Sequence, residues 1–202
     1  MTSKRALKLG LLGVAMALAT FPPARAAGDD DDPPSRVARL AYAHGSVSFQ
    51  PAGTDDWVNS VVNRPLTTGD KLWSDNDSRA EMQLDGSLIR LSNDTGVAFL
   101  NLSDNVTQIQ LSVGTLLIRV RRLDDDETYE VDTPNLALSI LRPGLYRLSV
   151  NEAGDTTIIT VRTGEGEVML KRGSLLGGHV RVNPDERMCA GTQLRVTPST
   201  AP

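Results

Sequence analysis

Ala80, Met82 and Leu84 alternate with Glu81, Gln83 and Asp85, a period of two that predicts a strand with one buried and one wetted face. The pair Asp85-Gly86 follows at once, and such a pair suits the positive φ angles of a two-residue type I′ turn. The chain is therefore expected to fold back through Ser87 to Leu91. In that register Leu84 faces Ser87, Met82 faces Ile89 and Ala80 faces Leu91 on the buried side, while Glu81 faces Arg90 on the wet side.

The same rhythm continues from Val37 onward, where glycines punctuate short apolar runs. Gly45, Gly86, Gly114, Gly144, Gly166, Gly178 and Gly191 each precede one. Further strands are expected at 36–42, 107–111, 128–132, 137–141 and 156–162. Two more hairpins follow from this reading: residues 148–150 with 157–161 around the loop 151–155, and 118–123 with 129–131 around Asp124–Glu127. No helical stripe accompanies the strands. The expectation is an all-β fold, a single antiparallel sandwich or roll-like domain over residues 37–196.

Residues 66–74, with Gly69-Asp70 followed by Leu72 and Ser74, resemble a block of FecR-type domains, and residues 80–91 resemble the strand pair that follows it there. Leu111–Val120 and Val131–Ile140 resemble two later pieces of the same domain. The segments 36–40, 45–52 and 55–57 are similar to the start of exported FecR-domain proteins of Gram-negative bacteria. The resemblance covers about Val37 to Val196. It implies a β domain that binds or transmits rather than catalyses. In regulators of this kind the domain lies in the periplasm and relays the state of an outer-membrane transporter to a cytoplasmic sigma factor. Those regulators carry a cytoplasmic anti-sigma segment and a transmembrane helix before the domain, and this sequence is expected to depart from that plan.

The departure lies in residues 1–26. Lys4, Arg5 and Lys8 precede an uncharged apolar run from Leu9 to Phe21 and the small residues Ala24 and Ala26, the pattern of a cleaved signal peptide. The apolar run is shorter than the roughly 20 residues that span a bilayer. Export to the periplasm by the general secretory route, with no transmembrane anchor after cleavage, is the expectation. Residues 27–36, with Asp29–Asp32 and two prolines, read as a disordered acidic linker, and residues 197–202 as a disordered tail.

Cleavage changes the charge. It removes four basic residues, Lys4, Arg5, Lys8 and Arg25, and no acid, so the formal charge moves from −4 to −8. An acidic domain is a poor partner for phosphate backbones, so no nucleic acid is expected. Cys189 is the only cysteine, which rules out an intramolecular disulfide and suggests a buried, inert thiol.

Catalytic and metal-binding patterns are sparse. His44 and His179 stand in no metal-ligand spacing, and no nucleophile elbow, Walker loop or dinucleotide fingerprint occurs. Asp70, Asp75, Asp77 and Asp85 are carboxylates that a glycosidase could use, yet each sits where a turn needs Asp for its backbone hydrogen bonds. No cofactor, metal site or catalytic residue is assigned, and the chain is read as a non-enzyme. What remains is a set of arginines. Arg90, Arg119, Arg147, Arg181 and Arg195 each sit between apolar residues, which places them on outward strand faces. Together with Trp57, expected to be exposed in a loop, they form a candidate interaction surface. The expected function is a periplasmic, non-catalytic interaction or signal-relay module with an envelope protein partner. The alternatives are a binder of an anionic cell-wall polymer through the arginine face and, more remotely, a carboxylate-dependent glycan hydrolase.

Overall fold

A computed structural model describes residues 36–171, 179–190 and 195–198. The expected signal peptide, and all of the acidic linker except Arg36, lie outside these residues. Seventeen strands make up the described fold, and no described residue is helical. In chain order they are β1 (Ala38–His44), β2 (Val47–Gln50), β3 (Val58–Asn59), β4 (Pro65–Leu66), β5 (Lys71–Ser74), β6 (Arg79–Leu84), β7 (Ser87–Leu91) and β8 (Thr95–Leu102). Then follow β9 (Val106–Val120), β10 (Thr128–Asp132), β11 (Leu136–Ile140), β12 (Gly144–Val150), β13 (Thr157–Thr163), β14 (Gly166–Leu170), β15 (His179–Val182), β16 (Glu186–Ala190) and β17 (Arg195–Pro198). The last strand reaches Pro198, beyond the boundary at 196 expected from the sequence.

The strands form two sheets joined through β9. In the first sheet the order is β4-β1-β6-β7-β9-β12-β13-β16-β17. In the second it is β3-β2-β5-β8-β9-β10-β11-β14-β15. The front part of β9 lies between β8 and β10, and its rear part between β7 and β12. It changes sheets at Gly114, whose φ is +91° and where a Cβ would come within 2.6 Å of the Thr95 Cα. Only glycine meets both conditions without strain.

Alternation then builds the core. Met82, Leu84, Ile89, Leu116, Ile118, Tyr146, Leu148 and Ile159 point inward from the first sheet, and Phe49, Leu72, Phe99, Ile109, Val131, Leu138 and Val168 from the second, into one buried cluster. This is the all-β sandwich expected, with sheet-on-sheet packing supplying the hydrophobic stabilisation.

The β6–β7 hairpin has the expected register: Ala80 with Leu91, Glu81 with Arg90, Met82 with Ile89 and Leu84 with Ser87. Its turn differs in type. Asp85 has φ +45°, but Gly86 is not left-handed, so the turn is not type I′. The β12–β13 hairpin also stands as expected, with Val150 opposite Thr157 and Gly154 at φ +70°.

The third expected hairpin does not form. β10 pairs with the beginning of β9 and runs parallel to it, Tyr129 opposite Thr107 and Val131 opposite Ile109. Residues 121–127 are consequently a crossover that carries the chain back along the sandwich. It is fastened at both ends. The Arg121 amide donates to the Gly86 carbonyl (3.1 Å), and Glu127 forms an ion pair with Arg36 and accepts a hydrogen bond from the Asp124 amide (3.0 Å). Those contacts, the Asp124 bond foremost, hold the Glu127 carboxyl below the usual glutamate range.

Candidate functional site

Strand alternation and the sheet order decide which arginines meet. On the outer face of the first sheet one transverse row reads Tyr42, Glu81, Arg90, Leu117, Arg147, Thr160, Arg187. The next row reads Arg39, Gln83, Leu88, Arg119, Leu145. Strands lie about 4.8 Å apart, so Arg90 and Arg147 flank Leu117 at roughly 10 Å from each other, with Arg119 two residues along β9. Arg90, Arg119 and Arg147 are exposed, and Leu117 and Leu145 half-buried among them.

The charge of this face is almost one-sided. Arg39, Arg79, Arg90, Arg119, Arg147, Arg162 and Arg187 share it with a single carboxylate, Glu81, among its described strand positions. Arg90 Nε donates to Glu81 Oε2 at 2.6 Å. Arg39 donates to the neutral Asn63 Oδ1 (2.8 Å) and Gln83 Oε1 (2.5 Å). The Arg79 guanidinium lies over the Tyr42 ring, 5.8 Å from its centroid, a weak cation–π contact. Beside these side chains runs an open groove of about 800 Å³, lined among others by Tyr42, His44, Arg79, Glu81, Arg90 and Leu117. A concave, cationic surface with aliphatic patches is suited to an acidic chain that also carries apolar groups.

The other residues singled out from the sequence lie elsewhere. Arg181 sits on β15 in the second sheet, where its Nη1 pairs with Glu165 Oε1 at 2.9 Å. Sequence alternation placed it outward correctly but could not say on which sheet. Of Arg195 the backbone alone is described, opposite Cys189. Trp57 is exposed, at 48%, in the loop before β3 on the edge of the second sheet, next to the exposed Val58, Val61 and Val62. It does not join the arginines. Cys189 is half-buried rather than buried, because it alternates with the inward Met188 and Ala190 and so faces out of the first sheet.

The four turn aspartates resolve as structural groups. Asp70 is buried and accepts from the amides of Ala52 (2.9 Å) and Thr67 (2.8 Å). Asp75 accepts from the Ser46 hydroxyl and from Trp73 Nε1, both at 2.6 Å, which holds its carboxyl below the usual range. Asp77 and Asp85 occupy left-handed turn positions.

A polar cluster not anticipated from the sequence lies on the outer face of the second sheet. Gln108 Nε2 donates to Glu130 Oε1 (2.9 Å) and Asp132 Oδ2 (2.8 Å), and Lys171 forms an ion pair with Asp132. Burial, and then the neighbouring Asp132 charge, raise the Glu130 carboxyl above its ordinary value. The parallel β9–β10 pairing creates this cluster, and no local sequence signal announces it. Among the described residues no group of three or more His, Cys, Asp and Glu could hold a metal ion.

A family model described as FecR protein matches residues 70–169, from the start of β5 almost to the end of β14. Two crystal structures of a candidate anti-sigma factor from Parabacteroides distasonis, at 1.65 and 2.50 Å resolution, share the fold with a TM-score of 0.55. Sequence identity is 14% to the 1.65 Å structure and 15% to the 2.50 Å structure, and the match covers 63% of this chain. This chain spans 59% of the length of those structures. No curated protein matches it in sequence.

Proposed function

This is a FecR-domain protein, and from that premise we propose that it works as an exported, non-catalytic module that binds a partner in the periplasm and relays its state. The observation that carries this reading is the outer face of the first sheet, where Arg90, Arg119 and Arg147 surround Leu117 beside an open groove. The family supports a regulatory role, and the likeness to a candidate anti-sigma factor supports the fold on which such a role rests. The signal-peptide pattern of residues 1–26 supports export. The partner is an envelope protein that presents acidic and apolar side chains to the arginine face.

Crosslinking from a photoreactive residue at Leu117 in living cells tests this directly. Capture of one protein, lost when Arg119 and Arg147 are both changed to Glu, supports the reading; equal capture by the charge-reversed protein sinks it. The same face favours a second reading, binding of an anionic cell-wall polymer. Co-sedimentation with purified envelope polymers distinguishes the two, since the polymer reading requires binding without any protein partner. A screen against cell-wall glycans that detects turnover would replace both with the hydrolase.

A further inference from the structure

Strand register turns the arginine face into a checkerboard. Arg90, Leu117 and Arg147 lie side by side on β7, β9 and β12, and Leu88, Arg119 and Leu145 form the next row. Each of these arginines is exposed, and each leucine half-buried. We infer that this face takes an acidic amphipathic α-helix of the partner, laid across the strands. Its carboxylates at positions i and i+7 meet Arg90 and Arg147, and an apolar side chain at i+3 or i+4 meets Leu117. This rests on the reading of that face as a docking surface and names the element that docks.

The spacing selects the helix. Arg90, Leu117 and Arg147 follow one another at about 4.8 Å, roughly 10 Å in all. Side chains at i, i+3 or i+4, and i+7 share one face of a helix and span about 10.5 Å along its axis. An extended chain presents one face at every second residue, so its acid-apolar-acid triplet spans about 13 Å and misses an arginine. The groove runs in the same direction. Its lining includes Tyr42 and His44 of β1, Arg79 and Glu81 of β6, Arg90 of β7 and Leu117 of β9, so it crosses three strand intervals, about 14 Å. A helix about 10 Å wide fills such a concavity, whereas a flat sheet face would bridge over it. Charge selects an acidic helix. Arg119 and Arg147 have no ion-pair partner among the described residues, and Arg90, held by Glu81 through Nε, carries two Nη groups as further donors. A second copy of this face would set arginine against arginine.

The test is a titration of the protein with fluorescent, covalently stapled helical peptides at low salt. One carries Glu, Leu and Glu at i, i+4 and i+7; a second has the same composition with those three side chains spread around the helix. The in-register helix is expected to bind about tenfold more tightly than the permuted one. Leu117→Ala should weaken the in-register helix about threefold and leave the permuted one unchanged. No saturable binding of the in-register helix overturns the inference. So does tighter binding of an unstapled copy in which a central proline prevents the helix. If both helices bind equally and Arg119→Gln with Arg147→Gln weakens both, the inference falls and the docking face stands. If that arginine variant, shown to be folded by thermal unfolding, binds both helices as the parent does, the docking face itself falls.

Discussion

The two outer faces of the sandwich follow the same alternation and differ in how their charges are closed. On the second sheet, Gln108, Glu130, Asp132 and Lys171 satisfy one another, and Glu165 pairs with both Arg142 and Arg181 at 2.9 Å. On the first sheet, one carboxylate stands among seven arginines at the described outward strand positions. A closed network fixes side chains and contributes to stability. Arg119 and Arg147, with no ion-pair partner among the described residues, contribute little to stability and leave their interaction free for a partner. The comparison teaches that strand position alone does not separate a structural arginine from a recognition arginine, whereas the identity of its cross-strand neighbours does.

Gly114 is where the two faces depend on each other most. Replacing it with Ala sets a Cβ against the Thr95 backbone at φ +91° and is expected to cost about 3 kcal/mol. Urea unfolding should show a single transition at lower denaturant; two separated transitions would mean the sheets do not share β9 as a structural unit. Next in size, Asp132→Ala removes a carboxylate that is 5% exposed, leaves Lys171 without its ion-pair partner and leaves Gln108 bonded to Glu130 alone, an expected loss of about 2 kcal/mol. Arg147→Ala, on the open face, should stay within about 0.5 kcal/mol of the parent. Equal losses at the two positions would erase the distinction between the faces.

A smaller effect separates the faces by pH. Glu130 has its carboxyl raised in the folded state, so its protonated form adds stability that is fully present below the ordinary value of 4.5. That contribution is lost as the pH rises through the raised value. Glu130→Gln should flatten this part of a stability–pH profile measured by thermal unfolding, and an unchanged slope would count against the desolvation described for this cluster. The smallest expected effect is at Glu81 and Arg90, side chains that remain partly exposed. A double-mutant cycle should give a coupling of about 0.5 kcal/mol that fades in high salt.

How much of this was legible in the sequence depended on how local each pairing is. The β6–β7 register could be read because turn and alternation specify it within twelve residues. β8 could not: Thr95, Gly96, Val97, Ala98 and Phe99 are all buried, so the period of two is hidden where small residues lie beneath their neighbours. Gly114 looked like a break between two strands because a glycine that bends one strand and a glycine that ends one have the same local signature. The acidic crossover 121–127 resembled a hairpin tip, since nothing in its residues records that β10 returns to the start of β9. For the candidate site, outward placement of Arg90, Arg119 and Arg147 was readable, but their meeting around Leu117 follows from sheet order. Arg181 shows the limit, having the same local pattern and a different face.

The shared strand has a consequence for the order in which the molecule assembles. β1 to β9 already supply five strands of each sheet, so this part can collapse around its own core. Each portion of β9 then offers a free edge, and β10 and β12 add to those two edges from opposite sheets. The later strands join a preformed template, and the growing ends of both sheets advance together from one point in the chain. In pulsed hydrogen exchange, amides of β6, β7 and β9 should gain protection before those of β13 and β14.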